Sequence, residues 1–230
     1  MAGRGRNEYL KAMESRHSVR RYKDQPLTEE VKATLMREVK RSSEESGLDF
    51  RLVTDEPEAF GNLLAHYGRF ENVQNYIAVF GEKNEESYEK TGYYGERIVL
   101  ESQLAGLNTC WVAASCSKKT VRKQCGREDL LCVIALGYGA ETGKPHKSKP
   151  LRQLYESKGN VPLWFNNGVK AASLAPTAMN QQKFCFTFDE DAVKVHALHG
   201  FYVYIDLGIV RFHFEAATGR KVSPLFRKQL

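Results

Sequence analysis

The chain has 230 residues, 42% of them hydrophobic, which is enough to bury a sizeable core and predicts one compact domain over residues 1–230. Its net charge of +6 comes from 34 basic and 28 acidic residues mixed along most of the sequence; the one acid-free basic run, 146–152, has no interleaved aromatic to stack a base, which argues against a nucleic-acid partner. No apolar run approaches the roughly 20 residues of a membrane span, and the opening MAGRGRNEYLKAM has no stretch suited to a signal peptide.

In chain order, residues 28–46 read as a helix. Glu29 and Glu30 favour its first turn, Val31, Leu35 and Val39 share a face, and Gly47 ends it. A strand at 50–54, a short helix at 57–66 and a buried strand at 76–80 follow. Residues 85–105 form a long helix closed by Gly106, with Ile98, Leu100 and Leu104 on a buried face. Ser117 is an N-cap for a short helix reaching Gln124, and 130–136 is a continuous apolar strand. Residues 143–152 are the most linker-like. The pattern then restarts: a helix at 162–173, strands at 184–188 and 193–198, and a final helix over 202–218 ended by Gly219. Gly95 precedes Gly106, and Gly208 precedes Gly219, by eleven residues each. An internal duplication explains this spacing, and so do unrelated α+β elements.

The five cysteines, Cys110, Cys116, Cys125, Cys132 and Cys185, form no CxxC pair and are odd in number. Reduced, mostly buried thiols in a cytoplasmic protein are the economical reading.

Two segments carry chemistry. Arg16-His17-Ser18-Val19-Arg20 sets two guanidiniums and a hydroxyl at alternate positions, so an extended backbone converges them on one phosphate. The segment LAPTAMNQQKFCFTF, residues 174–188, is a turn between a helix and a strand. It carries Thr177, Asn180 and Gln182, a hydroxyl and carboxamides suited to a planar heterocycle. Taken singly, the first reads more readily as a solvated basic segment and the second as a plain connection. Other chemistries fail. Gly137 to Gly143 lacks the G-x-G-x-x-G spacing and is followed by Pro145 rather than a helix, His196 and His199 have no third metal ligand, and no G-x-S-x-G elbow occurs.

Together the two segments resemble those of the FMN-dependent nitroreductase family. That family has an Arg-x-Ser-x-Arg segment followed by an aromatic and a Pro, here Tyr22 and Pro26, and an Ala-Pro-Ser/Thr-x-x-Asn-x-Gln turn. Similarity covers most of residues 8–219. The resemblance implies an α+β, nitroreductase-like fold with a central, mostly antiparallel sheet flanked by helices. Typical members are homodimers in which the turn follows soon after the Arg-bearing segment. Here the early position, 41–50, has no Pro, Asn or Gln, and the intact turn lies in the second half. The chain therefore resembles the single-chain, internally duplicated branch of the family. Its expected halves are about 8–142 and 160–219, joined by a basic linker, 143–159. The implied FMN lies between the halves, one per chain, with a monomer sufficient for the site and further oligomerisation open.

The resemblance carries over site residues one by one. Arg16, Ser18 and Arg20 would hold the phosphate, and His17 would face the pyrimidine side. Lys147 and Lys149 match the late basic pair that closes over the same phosphate, a match equally open to a solvated linker. Thr177, Ala178 and Asn180 would line the ring and ribityl chain; Gln182 either joins them or braces the turn. Residues 106–114 resemble the family's Gly-Leu-x-x-Cys-Trp segment, so Val112, Ala113 and Ala114 would pass beside the ring, while Trp111 reads as core. Lys183 stands where the family usually has Pro and Phe184 where it often has Trp, which puts substrate preference in doubt more than flavin binding. The implied activity is hydride transfer from NADH or NADPH through FMN to a small acceptor such as a nitroaromatic or quinone, with no side chain required as catalytic acid or base. Two alternatives stay open: a flavin-binding protein whose acceptor pocket has decayed, and a flavin enzyme of another reaction, such as reductive dehalogenation or flavin cannibalisation.

Overall fold

A computed structural model describes residues 5–61, 68–189 and 192–225, and its strands fall into two four-stranded sheets. The architecture is α+β, with six α-helices among the described residues and antiparallel pairing in four of the six strand pairs. Two compact units divide the chain. One comprises Arg16–Ser87 and Arg97–Pro145. The other comprises the segment up to Ser15, Tyr88–Glu96 and the chain from His146 onward.

The first unit is built on β1 (Asp49–Val53), β2 (Asn75–Phe80), β3 (Asn108–Val112) and β4 (Leu130–Gly137). Their order is β1-β2-β4-β3, antiparallel throughout, with Ile77 opposite Ile134 and Cys110 opposite Ala135. Every residue of β2 is buried, and all but one of β4, so these central strands read as unbroken apolar runs rather than alternating ones. Helix α2 (Glu29–Ser46) packs on β1. It starts where the Thr28 hydroxyl accepts from Val31 N–H at 3.3 Å and stops at Gly47, whose φ is 75°. Of the short helix expected at 57–66, Glu58–Phe60 form a single 3₁₀ turn, and residues 62–67 lie outside the described residues. Helix α4 (Lys118–Cys125) is capped by Ser117, whose hydroxyl accepts from Thr120 N–H at 3.2 Å.

The second unit holds α1 (Arg6–Ser15), α5 (Leu163–Ala172) and α6 (Val203–Thr218). Its sheet is β5 (Tyr155–Ser157), β6 (Phe184–Asp189), β7 (Ala192–Ala197) and β8 (Ser223–Leu225). The β6–β7 pair is antiparallel; the short edge strands β5 and β8 are parallel to their neighbours. Helices α1 and α5 both pack on α6. Aromatic side chains fill the space between α6 and the sheet: Phe186 stacks on Phe214 at 4.9 Å, and Phe165 meets Phe214 at 5.8 Å.

Helix α3 (Glu85–Leu104) belongs to the second unit by residues 88–96 and to the first by the remainder. Its expected single buried face is exceeded, since residues 95–102 are all buried. The polar ones are paired: Arg97 reaches Glu45 at 2.5 Å and Ser42 at 3.1 Å within the first unit. Within the second unit, Glu96 meets His213 of α6 at 2.9 Å with both side chains fully buried. Where α3 and α6 cross, a methyl group on Gly92 would overlap the Ile205 carbonyl and one on Gly208 the Glu89 carbonyl. Only glycine allows so close an approach of two helix backbones.

Candidate cofactor site

The predicted site residues occupy both units. In the first unit, residues 16–20 leave the end of α1 and run alongside β3. Ser18 bridges Thr109 in parallel fashion, and Val19 N–H donates to the Thr109 carbonyl at 3.1 Å. Strand-like alternation follows. Val19 turns into the core, whereas Ser18 is half-buried and Arg20 exposed; Arg16 is buried at 4% exposure. Tyr22 locks the far end of the segment by donating its hydroxyl to the Val19 carbonyl at 2.7 Å. Burial pushes the Cys110 thiol on β3 up, while Arg20, Arg16 and a hydrogen bond with Ser18 pull it down.

Directly after β3, Val112 is buried, Ala113 half-buried and Ala114 exposed. Val112 and Ala113 share a pocket of about 340 Å³ with Arg20. Trp111, expected as core, lines the same pocket, as do Arg69, Phe70 and Ser115. The Arg20 guanidinium lies 5.9 Å from the Phe70 ring centre. Among the described residues lining this pocket none is acidic and two are guanidiniums, so it favours an anionic ligand with a flat apolar part. His17 is half-buried one residue before the Ser18 bridge.

In the second unit, α5 runs into the turn of residues 173–182. Thr177 precedes a 3₁₀ turn, Ala178–Asn180, and Met179, Asn180 and Gln182 hold left-handed backbones with φ of 53°, 53° and 47°. Three non-glycine residues in that region need external support. Gln182 supplies part of it: it is buried, its N–H donates to the Thr177 hydroxyl at 3.1 Å, and its carboxamide nitrogen donates to Asn180 Oδ1 and to the Lys147 carbonyl, both at 3.0 Å. Its carboxamide oxygen accepts from Lys149 N–H at 2.8 Å. These contacts are those of a brace. Asn180 also donates to the Lys147 carbonyl, and Lys149 Nζ donates to the Gln182 carbonyl at 2.9 Å. Burial and then neighbouring Lys183 push the Lys149 ammonium down. The linker-like basic segment is thus fastened to the turn, and His146 and Ser148 extend the fastening to the Ser173 carbonyl.

Asp206, in the first turn of α6, supports the same turn from the other side. It is buried, and it accepts from Ala178 N–H at 2.9 Å and from the Gln181 carboxamide at 2.8 Å. Burial raises its carboxyl to about 7, the two hydrogen bonds opposing the rise. Sequence reasoning passed over Asp206 because an acidic residue in a first helical turn is ordinary. It passed over Arg69 and Phe70 because their loop matches no motif; the left-handed φ of 60° at Arg69 is visible only in the structure. Among the described residues no group of three or more His, Cys, Asp or Glu is arranged to hold a metal ion.

The family model described as "Putative TM nitroreductase" matches residues 8–218. Among solved structures the chain is similar to a putative nitroreductase of Thermotoga maritima MSB8, at 22% identity and a TM-score of 0.67 over 94% of this chain and 86% of that one. It is also similar to a putative NADH dehydrogenase/NAD(P)H nitroreductase of Parabacteroides distasonis ATCC 8503, at 25% identity and 0.52 over 66% and 99%. A third is a putative nitroreductase of Desulfovibrio desulfuricans in complex with FMN, at 18% identity and 0.51 over 63% and 93%. No curated protein matches the chain.

Proposed function

We propose that this chain, which belongs to the putative TM nitroreductase family, binds FMN and is an oxidoreductase that passes hydride from NADH or NADPH to a small oxidised acceptor such as a nitroaromatic or quinone. The observation that carries the reading is the pocket in which the Arg20 and Arg69 guanidiniums stand beside Phe70, Trp111, Val112 and Ala113, with no acidic side chain among the described residues that line it. The donor set fits the group. Two guanidiniums and a hydroxyl suit a phosphate, and the Phe70 and Trp111 rings with Val112 and Ala113 suit a flat ring. FMN, when bound, supplies the hydride relay itself.

The chain's own residues bind and orient. Arg16, Ser18 and Arg20 hold the phosphate and offset its charge. Val112, Ala113 and Ala114 lie along the ring, where a backbone N–H is a donor. Thr177 and Asn180 present a hydroxyl and a carboxamide to the flavin's polar atoms, Ala178 between them lines the ring, His17 adds a donor, and Gln182, Lys147 and Lys149 keep that turn in shape. The nitroreductase complexed with FMN and the relative named for NAD(P)H support the cofactor and the donor class. Five free, buried thiols support a reducing compartment, the cytoplasm. The test is an absorbance spectrum of the purified protein with FMN titrated against wild type and R16A/R20A: tight binding by the first and its loss in the second are expected, and equal affinity would reject the phosphate assignment.

A further inference from the structure

We propose that Asp206 is a positioning residue for the flavin-contact turn, holding residues 177–182 in their binding shape only while its carboxylate is ionised. This rests on the reading of Thr177, Ala178 and Asn180 as FMN contacts. The geometry is that of a strut. One carboxylate oxygen accepts from Ala178 N–H and the other from Gln181 Nε2, and the same Nε2 donates to the Phe201 carbonyl at 2.6 Å. A carbonyl oxygen only accepts, so the Phe201 contact fixes which end of the Gln181 amide is nitrogen. Gly200 makes room for it: a methyl group there would overlap Gln181 Oε1. Turn, loop and helix are therefore tied through two side chains, and Met179, Asn180 and Tyr202, all with positive φ, stand at the tied points.

Protonating Asp206 breaks this arrangement. A neutral carboxyl has one good acceptor oxygen, and its O–H faces Gln181 Nε2, which also donates. Turning the Gln181 amide satisfies the new O–H and forfeits the bond to Phe201. One of the three hydrogen bonds is lost in either case, and the strained turn loosens. No charged side chain acts on Asp206 among the described residues; burial, the Ala178 amide and Gln181 do. Its titration therefore falls near neutrality rather than with surface carboxylates.

The experiment uses FMN and the full chain. FMN affinity is measured from pH 5.5 to 8 for wild type, D206N and, as a variant that keeps the carboxylate, Q181L. The protection factor of the Ala178 amide, its exchange rate divided into the intrinsic rate at the same pH, is followed in the flavin-free protein. Wild-type affinity should weaken as pH falls through neutrality, by up to about tenfold per unit, with the Ala178 protection factor falling in step. In D206N the Ala178 protection factor should no longer change with pH and FMN affinity should keep only the slope common to all three proteins, with affinity at pH 8 reduced about fivefold to tenfold, the loss of one hydrogen bond. Q181L should weaken binding at pH 8 and keep part of the slope. The second ionisation of the FMN phosphate, near pH 6, is common to all three proteins and cancels in the comparison. Identical profiles in wild type and D206N, or an Ala178 protection factor indifferent to both pH and substitution, would overturn the strut. A wild-type protein that shows the exchange dependence yet binds no FMN would instead overturn the flavin reading and leave the strut standing.

Discussion

Arg20 is exposed and Arg16 buried, so their replacements should differ in kind. R20A should remove one charge-assisted contact, weakening FMN by about 1.5–3 kcal/mol with little change in stability; fluorescence titration of FMN and urea unfolding measure the two effects. R16A should cost both affinity and stability. The His213–Glu96 pair is a second residue-level case. His213 Nδ1 faces the Ala171 carbonyl at 3.0 Å and so must carry a proton, while Nε2 faces Glu96 at 2.9 Å. The pair therefore shares a proton, either on the imidazolium or on the carboxyl. Removing His213 takes away the ring nitrogen that faces Glu96 Oε1 in a fully buried site. H213A should destabilise by about 3–5 kcal/mol, and the double change H213L/E96L by much less; unfolding midpoints for the two variants check the order, and equal losses would reject a coupled pair.

At the scale of elements, the glycines at the α3–α6 crossing make the sharpest prediction. G208A must push the helices apart or bend them, costing about 1–3 kcal/mol or more, read as a lowered unfolding midpoint with flavin affinity as a separate measurement. Helix ends were legible in the sequence because they rest on local chemistry: Thr28, Ser117, Gly47 and Gly219 all lie where capping rules put them. Strand β4 was legible as an unbroken apolar run. Strands β5 and β8 were not, since three-residue edge strands owe their existence to parallel partners far along the chain. Strand β3 was hidden inside a segment read for its motif. The extended course of residues 16–20 was legible because alternate spacing maps directly onto an extended backbone. The fastening of Lys147 and Lys149 to the turn was not, because several of its bonds use main-chain groups, which leave no residue-type signature.

At the scale of the whole molecule, Asp206 gives stability a pH dependence of definite sign. Its carboxyl rises from 3.8 unfolded to about 7 folded. The folded chain thus holds a proton that the unfolded chain releases between about pH 4 and 7. Its contribution is most favourable below about pH 4, falls as pH rises through that window and is constant above it. Thermal unfolding of D206N should lack that segment of the slope, and an unchanged slope would assign it elsewhere. One FMN per chain is expected, since only one Arg-x-Ser-x-Arg segment and one Asn-bearing turn occur; native mass measurement checks the count. The claim on which all of this depends is that the chain binds a flavin that turns over, and anaerobic reduction tests it most directly. Protein loaded with FMN is mixed with NADH or NADPH, then with a nitroaromatic or quinone, and the oxidised-flavin absorbance is followed. The account predicts bleaching by at least one nicotinamide and recovery on adding acceptor. Failure to retain FMN, or a bound flavin that neither nicotinamide bleaches, would contradict it.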